Sequence, residues 1–375
     1  MEFVATCLFG LERLAGEDID ALGYKRIDTI DGRVVFEAPL EAIAECNINF
    51  RYAERLYIKL GDFKAFSFED LYQGTKALPW ENFIGKNDAF PVKGHSIKSK
   101  LFSVPDCQRI IKKAVVDRLS GVHGIKQFSE SGIKYQIEFF ILNDEAVLMI
   151  DTSGDSLHKR GYRLQGNLAP LRETLAAAMV NLSRPRADVI LVDPMCGSGT
   201  IAIEAALLTT NTAPGINRSF AAEEYPFIPK TAWSNAREKA RAAVIAAPAG
   251  IYGYDIDRSS IETARKNAAT AGMSSAITFE VRDIKDFTSP VEGARGTVIT
   301  NPPYGERLGD LQSARELLRI MGRVFSEQVP SWQLYIISSD DEMEKHFGRR
   351  SDKVRKLYNG MIKCGLYQFF RNTKN

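Results

Sequence analysis

The chain contains no CxxC pair, no Cys–His ligand spacing, no apolar run approaching about 18 residues and no Walker-type GxxxxGKS/T loop. The five cysteines (Cys7, Cys46, Cys107, Cys196, Cys364) are scattered, and the four histidines are not spaced as ligands. A disulfide framework and a metal site are therefore not expected, and a reduced, cytoplasmic setting is. The missing apolar run excludes a membrane-spanning helix, and the charges from Glu12 to Asp18 argue against an export signal. Without the Walker loop, a P-loop nucleotidase is unsupported. An excess of one charge sign is missing too: 49 basic residues stand against 47 acidic ones, a net charge of +2. The whole-molecule field thus announces no polyanion partner, and a nucleic-acid argument must come from local clusters. Internal repeats and low-complexity tracts are absent.

What is present is globular material. The 375 residues, 45% hydrophobic and 26% charged, exceed what one core usually serves, so two or three domains are expected. Residues 1–62 read as a small α+β, ferredoxin-like module: a strand from Phe3 to Leu8, a helix after Gly10 with Leu11, Leu14, Ile19 and Leu22 inward, the strand GRVVFEAP, a helix from Leu40 to Ile48, and the strand RLYIKLGDF. Residues 63–156 alternate helix and strand again: FEDLYQGTKAL, AFPVKGHSI, VPDCQRIIKKAVVDRL, then the strands YQIEFFIL and EAVLMIDT. Residues 157–375 alternate as a doubly wound parallel sheet does, an α/β domain of Rossmann-like type.

That third unit carries the chemistry. VILVDPMCGSGTIAIEAALL is a buried strand, a tight loop and an apolar helix, and Gly197 and Gly199 let a ligand approach the backbone beside helix N–H groups. The next strand, IYGYDID, puts Asp255 at its carboxyl end, where a ribose diol is gripped, and Asp257 at the N-cap of the following helix. A third strand ends at Arg282 and Asp283; Asp283 is either an acceptor for an adenine amine or a turn residue. Gly197, Gly199 and Ala202 also satisfy GxGxxA, so a nicotinamide-dependent oxidoreductase competes. However, Asp255 lies far beyond the roughly 20 residues that fingerprint requires.

A fourth strand runs into Asn301-Pro302-Pro303-Tyr304. The prolines cannot donate to a sheet and have fixed φ, so they hold carbonyls outward. An exocyclic base amine is a poor nucleophile until it pyramidalises. Two acceptors, the Asn301 side-chain oxygen and the Pro302 carbonyl, would favour that form and stabilise the charge developing on nitrogen. Tyr304 would stack on the base. A sharp post-strand turn is the plainer account of Pro-Pro-Tyr-Gly alone.

DPMCGSGT, GYDID, RDI and NPPYGERLG, in that order, resemble the S-adenosylmethionine-dependent amino-methyltransferases. LHKRGYR with LAPLRETLAAAMV (157–180), and LFSVPDCQRIIKKAV (101–115), resemble the THUMP-containing bacterial ribosomal RNA guanine-N2 methyltransferases. The resemblance implies a ferredoxin-like module, a THUMP domain (63–156) and one methyltransferase domain. It implies S-adenosylmethionine as cofactor, held by Asp193, Gly197, Gly199, Thr200, Asp255, Ile256, Asp283 and Ile284, with the helix from Pro170 to Val180 alongside. Catalysis falls to Asn301, Pro302 and Tyr304. The implied acceptor is guanine N2 in 23S ribosomal RNA, with transfer RNA as alternative; the NPPY chemistry also serves adenine N6 and cytosine N4. A non-catalytic RNA-binding assembly factor is the reading from another class. A thiolation enzyme would need an SGGxDS-type loop, which TSGDSLH does not supply.

For RNA, the middle unit offers a local basic excess that includes Lys98, Lys100, Arg109, Lys112 and Lys113, which suits phosphates; a solvated helix face is the bland account. Lys159, Arg160 and Arg163 would carry the strand across the domain junction. A duplex hides its base amines, so a flipped or unpaired nucleotide is expected. The long stretch from Thr209 to Ile251, with Arg218, Phe220, Tyr225, Phe227 and Trp233, is expected to pack its aromatics on the sheet rather than line an RNA cleft.

Overall fold

The computed structural model describes residues 1–163, 171–247, 250–304 and 310–370. Its first sheet comprises β1 (Glu2–Cys7), β2 (Lys25–Ile30), β3 (Arg33–Glu37), β4 (Ala53–Lys64), β5 (Val92–Ile97), β6 (Ile137–Leu142) and β7 (Glu145–Asp151), in the order β2-β3-β1-β4-β7-β6-β5. Helices α1 (Glu12–Ala21), α2 (Ala42–Asn49), α3 (Phe68–Ala77) and α4 (Val104–His123) accompany it. Alternation assigns its faces: Phe3 and Ala5, like Ile137, Phe139 and Ile141, enter the main core with α1 and α4, while Val4, Tyr57 and Met149 form a small cluster on the reverse.

β4 is 12 residues long. It pairs with β1 through its first half and with β7 along most of its length, so the ferredoxin-like module and the unit after it share one sheet, and the expected boundary at 62/63 falls inside a strand. The unforeseen β2 is an edge strand exposed at all but its last residue, which leaves no alternation to read.

The second sheet holds β8 (Val189–Asp193), β9 (Ile251–Asp255), β10 (Ile277–Val281), β11 (Arg295–Thr300), β12 (Gln333–Ser338), β13 (Lys353–Asn359) and β14 (Ile362–Phe369), ordered β10-β9-β8-β11-β12-β14-β13. The first five run parallel; β14 is antiparallel to β12 and β13. Helices α5 (Glu173–Leu182), α6 (Thr200–Thr209), α7 (Lys230–Ala242), α8 (Arg258–Thr270), α9 (Asp310–Gln328) and α10 (Met343–Phe347) complete the doubly wound domain.

The stretch 209–251 corrects one expectation. Its aromatics pack, but the tyrosine and phenylalanine at 225 and 227 pack against the N-terminal units rather than the doubly wound sheet. Tyr225 stacks on Tyr135 at 4.4 Å and donates its hydroxyl to the Asp151 carbonyl at 2.6 Å, and Phe227 meets Phe83 edge-on at 5.3 Å. Gly215 donates to the Ile48 carbonyl at 2.9 Å, and a Cβ there would fall 2.7 Å from the Asn47 carbonyl oxygen, so glycine is needed for α2 to approach. Among the described residues no helix is long and apolar enough to cross a membrane, and all five cysteines are free and buried.

Candidate functional site

β8 and β11 are neighbours, and the chain leaves them in opposite directions, toward β9 and β10 on one side and toward β12 on the other. Their carboxyl ends therefore form the topological switch point where such sheets bind ligands. Asp193 closes β8 and Thr300 closes β11. The Thr300 hydroxyl donates to Asp193 Oδ1 at 2.8 Å, and the Met195 amide donates to the same oxygen at 3.2 Å. Asp193 is 3% exposed. Burial pushes its carboxyl up to about 7, with a smaller push from the charge of Asp255, against the lowering effect of its two donors.

Between β8 and α6 the loop turns through Gly197 at φ +51 and Gly199 at φ +84. A Cβ on Gly199 would lie 3.0 Å from both Ala264 Cβ and Phe279 Cζ, whereas one on Gly197 would meet nothing within 4 Å. Gly199 is thus required by α8 and β10, and the space over Gly197 is open to a ligand. Asp255 braces this loop from the tip of β9: its Oδ2 accepts from Gly197 N–H and its Oδ1 from Asp257 N–H, both at 2.9 Å. Asp257 caps α8 through Ser259 and Ser260, as its spacing predicted. Asp283, half-buried at the end of the neighbouring β10, caps the short turn Ile284–Asp286 through Oδ1, which accepts from Lys285 N–H at 3.0 Å. Of the two isoleucines expected at the cofactor, Ile256 is 67% exposed at the β9 tip, and Ile284 is buried in the core with Val192 and Tyr254. Cys196 is a buried small residue whose amide donates to the Tyr254 carbonyl.

At the end of β11, Asn301 Oδ1 accepts a 2.5 Å hydrogen bond from the Tyr304 hydroxyl. Pro302 is buried, Pro303 exposed, and Tyr304 packs half-buried against the main core. The rest of NPPYGERLG, 305–309, lies outside the described residues, as does Pro170 ahead of α5.

Sequence reasoning missed the polar network that supports the loop from behind. Arg163 donates to Thr200 Oγ1 at 2.8 Å and pairs with Glu173 at 3.3 Å. Arg160 and Glu204, with side chains 2% and 1% exposed, pair at 3.4 Å, and Tyr162 donates to Glu204 at 3.1 Å. Arg160 also donates to the Leu157, Phe50 and Arg51 carbonyls, clamping the N-terminal unit to the doubly wound domain. The expectation that Arg160 and Arg163 contact RNA is therefore corrected: both are held inside by carboxylates and carbonyls. No local pattern reveals this, because apart from the Leu157 carbonyl the partners of Arg160 lie 44 to 110 residues away, and Arg163 meets Glu173 at the start of the next helix and Thr200, 37 residues on.

The other expected RNA contacts differ in availability. Lys98, Lys100, Lys113 and Lys159 are exposed, Lys159 paired with Asp155 at 2.9 Å. Arg109 is exposed and bonded to Asp106 at 2.7 Å. Lys112 is half-buried, 3.6 Å over the Phe90 ring and paired with Glu130.

The donor set suits S-adenosylmethionine. Asp255 and Asp283 bring two carboxylates to adjacent strand ends, the Gly197 turn is open, and the buried Arg163 Nε and Glu173 Oε2 beside α6 have no hydrogen-bond partner among the described residues. When bound, that cofactor supplies an electrophilic methyl group. Among the described residues no group of His, Cys, Asp or Glu could hold a metal ion.

Known proteins share this arrangement. Residues 160–368 match the model of the RMKL-like methyltransferase domain, residues 2–57 the RlmL ferredoxin-like domain, and residues 65–151 the THUMP domain. A Bacillus subtilis (strain 168) protein provisionally named RNA methyltransferase YpsC is 42% identical, over 99% of this chain and 96% of that protein. A protein of Syntrophotalea carbinolica named ribosomal RNA large subunit methyltransferase K/L is 35% identical over 98% of this chain, which spans only 53% of that longer protein. The solved structure of SMU.472, provisionally a methyltransferase and complexed with SAH, superposes with a TM-score of 0.92 at 40% identity, covering 100% of this chain and 99% of that one. The chain belongs to the RMKL-like family of S-adenosylmethionine-dependent methyltransferases, with RlmL-type ferredoxin-like and THUMP domains ahead of its catalytic domain.

Proposed function

We propose that this protein methylates the exocyclic N2 amine of a guanine in 23S ribosomal RNA, in the cytoplasm. The observation that carries the reading is the seating of Asn301-Pro302-Pro303-Tyr304 at the carboxyl end of β11, beside the Gly197 turn and the strand-end carboxylates. The THUMP match and the large-subunit names of relatives support RNA of that class as acceptor.

In this reading the target amine donates one N–H to Asn301 Oδ1 and the other to the Pro302 carbonyl. Asn301 Oδ1 has a second lone pair, so the Tyr304 bond and the amine bond coexist and fix the carboxamide plane. Both acceptors favour a pyramidal nitrogen and stabilise the positive charge it gains. The Tyr304 ring offers a face to the base. Asp255 and Asp283 hold the cofactor's nucleoside, and Arg163 with Thr200 steadies the start of α6 under it. The proton leaves the nitrogen for water, so no strong base is needed in the site.

The test is incubation of labelled S-adenosylmethionine with unmodified ribosomal and transfer RNA, followed by mass spectrometry of the nucleosides. N2-methylguanosine in the 23S pool is expected. Label only in transfer RNA, or as N6-methyladenosine or N4-methylcytidine, would replace the acceptor assigned here. No label with the cofactor bound would favour a non-catalytic assembly factor.

A further inference from the structure

At the edge of the catalytic sheet remote from the cofactor lies a cleft of about 580 Å³. The segment after α5 forms one wall, β13 and β14 another, and α1 of the ferredoxin-like module a third. Five cations line it, Arg13, Arg184, Arg186, Lys353 and Arg355, against one carboxylate, Glu17, which Arg13 already holds at 2.8 Å. The other four make no ion pair among the described residues, and Arg355 Nε is buried with no hydrogen-bond partner. By contrast, the buried or half-buried Arg160, Arg163, Arg237 and Arg315 each face a carboxylate. Four unpaired cations around one cavity repel one another, and an anion relieves that repulsion.

The anion's class follows from the arrangement. Guanidinium groups match phosphate oxygens in bidentate fashion. Lys353 and Arg355 stand two apart on β13, hence on one face, opposite Arg184 and Arg186, which are two apart in the connection to β8. Arg184 holds φ +54, an unfavourable conformation for a side chain of its type. Arg184, Arg186 and Lys353 are exposed, so the cleft is open to a long ligand. β8 and β11 begin at Val189 and Arg295 next to Arg184 and Arg186 and end at Asp193 and Thr300 in the candidate site, and a five-residue strand spans roughly 17 Å, the reach of a few nucleotides. We propose that the cleft is a phosphate-binding site that takes the backbone of the RNA substrate flanking its target nucleotide. This rests on the reading of the chain as an RNA methyltransferase.

The test is salt-titrated binding of unmodified large-subunit ribosomal RNA to the full chain, without cofactor. Wild type is compared with Arg186→Gln/Lys353→Gln and with the charge-keeping Arg186→Lys/Lys353→Arg. The first variant should bind about 10-fold more weakly near 0.1 M salt and lower the slope of log affinity against log salt by about 2. The second should restore both, with melting temperature and S-adenosylmethionine affinity equal throughout. Unchanged slope and affinity in the first variant would overturn the proposal. So would loss of tripolyphosphate binding with RNA binding intact, which assigns the cleft to a free phosphate ligand. Absence of methyl transfer by wild type to any RNA would overturn the functional reading alone, because the slope is read without turnover and still decides the cleft.

Discussion

The Tyr304 hydroxyl donates to Asn301 Oδ1 across 2.5 Å, so the carboxamide proposed to accept from the target amine is oriented by the tyrosine proposed to stack on the base. Two substitutions separate these roles. Asn301→Ala removes an acceptor used in the transition state and should lower methyl transfer about 100- to 1,000-fold with cofactor affinity unchanged. Tyr304→Phe keeps the ring and releases the carboxamide, and should cost about 10-fold or less. Single-turnover rates decide it, and equal losses in the two variants would show that orientation and acceptance are not separable here.

Asp255 holds Gly197 and Asp257 by their amides at the tip of β9. Asp255→Ala should weaken S-adenosylmethionine about 10- to 100-fold, on the order of 1.4–2.8 kcal/mol, by removing both a ligand for the ribose and the brace on the turn. A calorimetric titration with unaltered affinity would remove Asp255 from the cofactor site.

Asp193 gives a pH signature. Its folded carboxyl is raised from 3.8 to about 7, chiefly by burial. Between those values the folded chain keeps a proton that the unfolded chain releases, so this group's contribution to stability falls as pH rises through the window and is lowest above it. Asp193→Asn keeps an oxygen for the Thr300 hydroxyl and the Met195 amide but cannot ionise. Scanned without cofactor at pH 5 and pH 8, the variant should lose less melting temperature on going to pH 8 than wild type does. Equal losses would mean that Asp193 ionises without cost.

Arg160 and Glu204 make a buried pair at the joint between the two sheets' domains. Arg160→Ala strands the Glu204 carboxylate and three carbonyls and should cost about 3–5 kcal/mol. Lys159→Ala, one residue earlier and exposed, should stay within about 0.5 kcal/mol. Midpoints of urea denaturation compare them, and a mild Arg160→Ala would show that the joint does not depend on this clamp.

Much of the molecule was legible because its signals are local. The turn around Gly197, the Asp257 cap and the acids at the tips of β9 and β10 each depend on a strand, a loop and a helix adjacent in the chain, and alternation with glycine placement specifies those. DPMCGSGT, GYDID, RDI and NPPYG then mark the carboxyl ends of four strands, β8 to β11, although it is the sheet that returns β11 to the side of β8. Tertiary structure alone decided the rest. It ran β4 through two modules, drew Arg160 and Arg163 away from solvent, turned Tyr225 onto Tyr135, and gathered Arg13, Arg184, Arg186, Lys353 and Arg355 around one cleft. Each of these depends on which distant segment a side chain meets, and long-range pairing is chosen by the burial of whole faces rather than by any residue's neighbours in the chain.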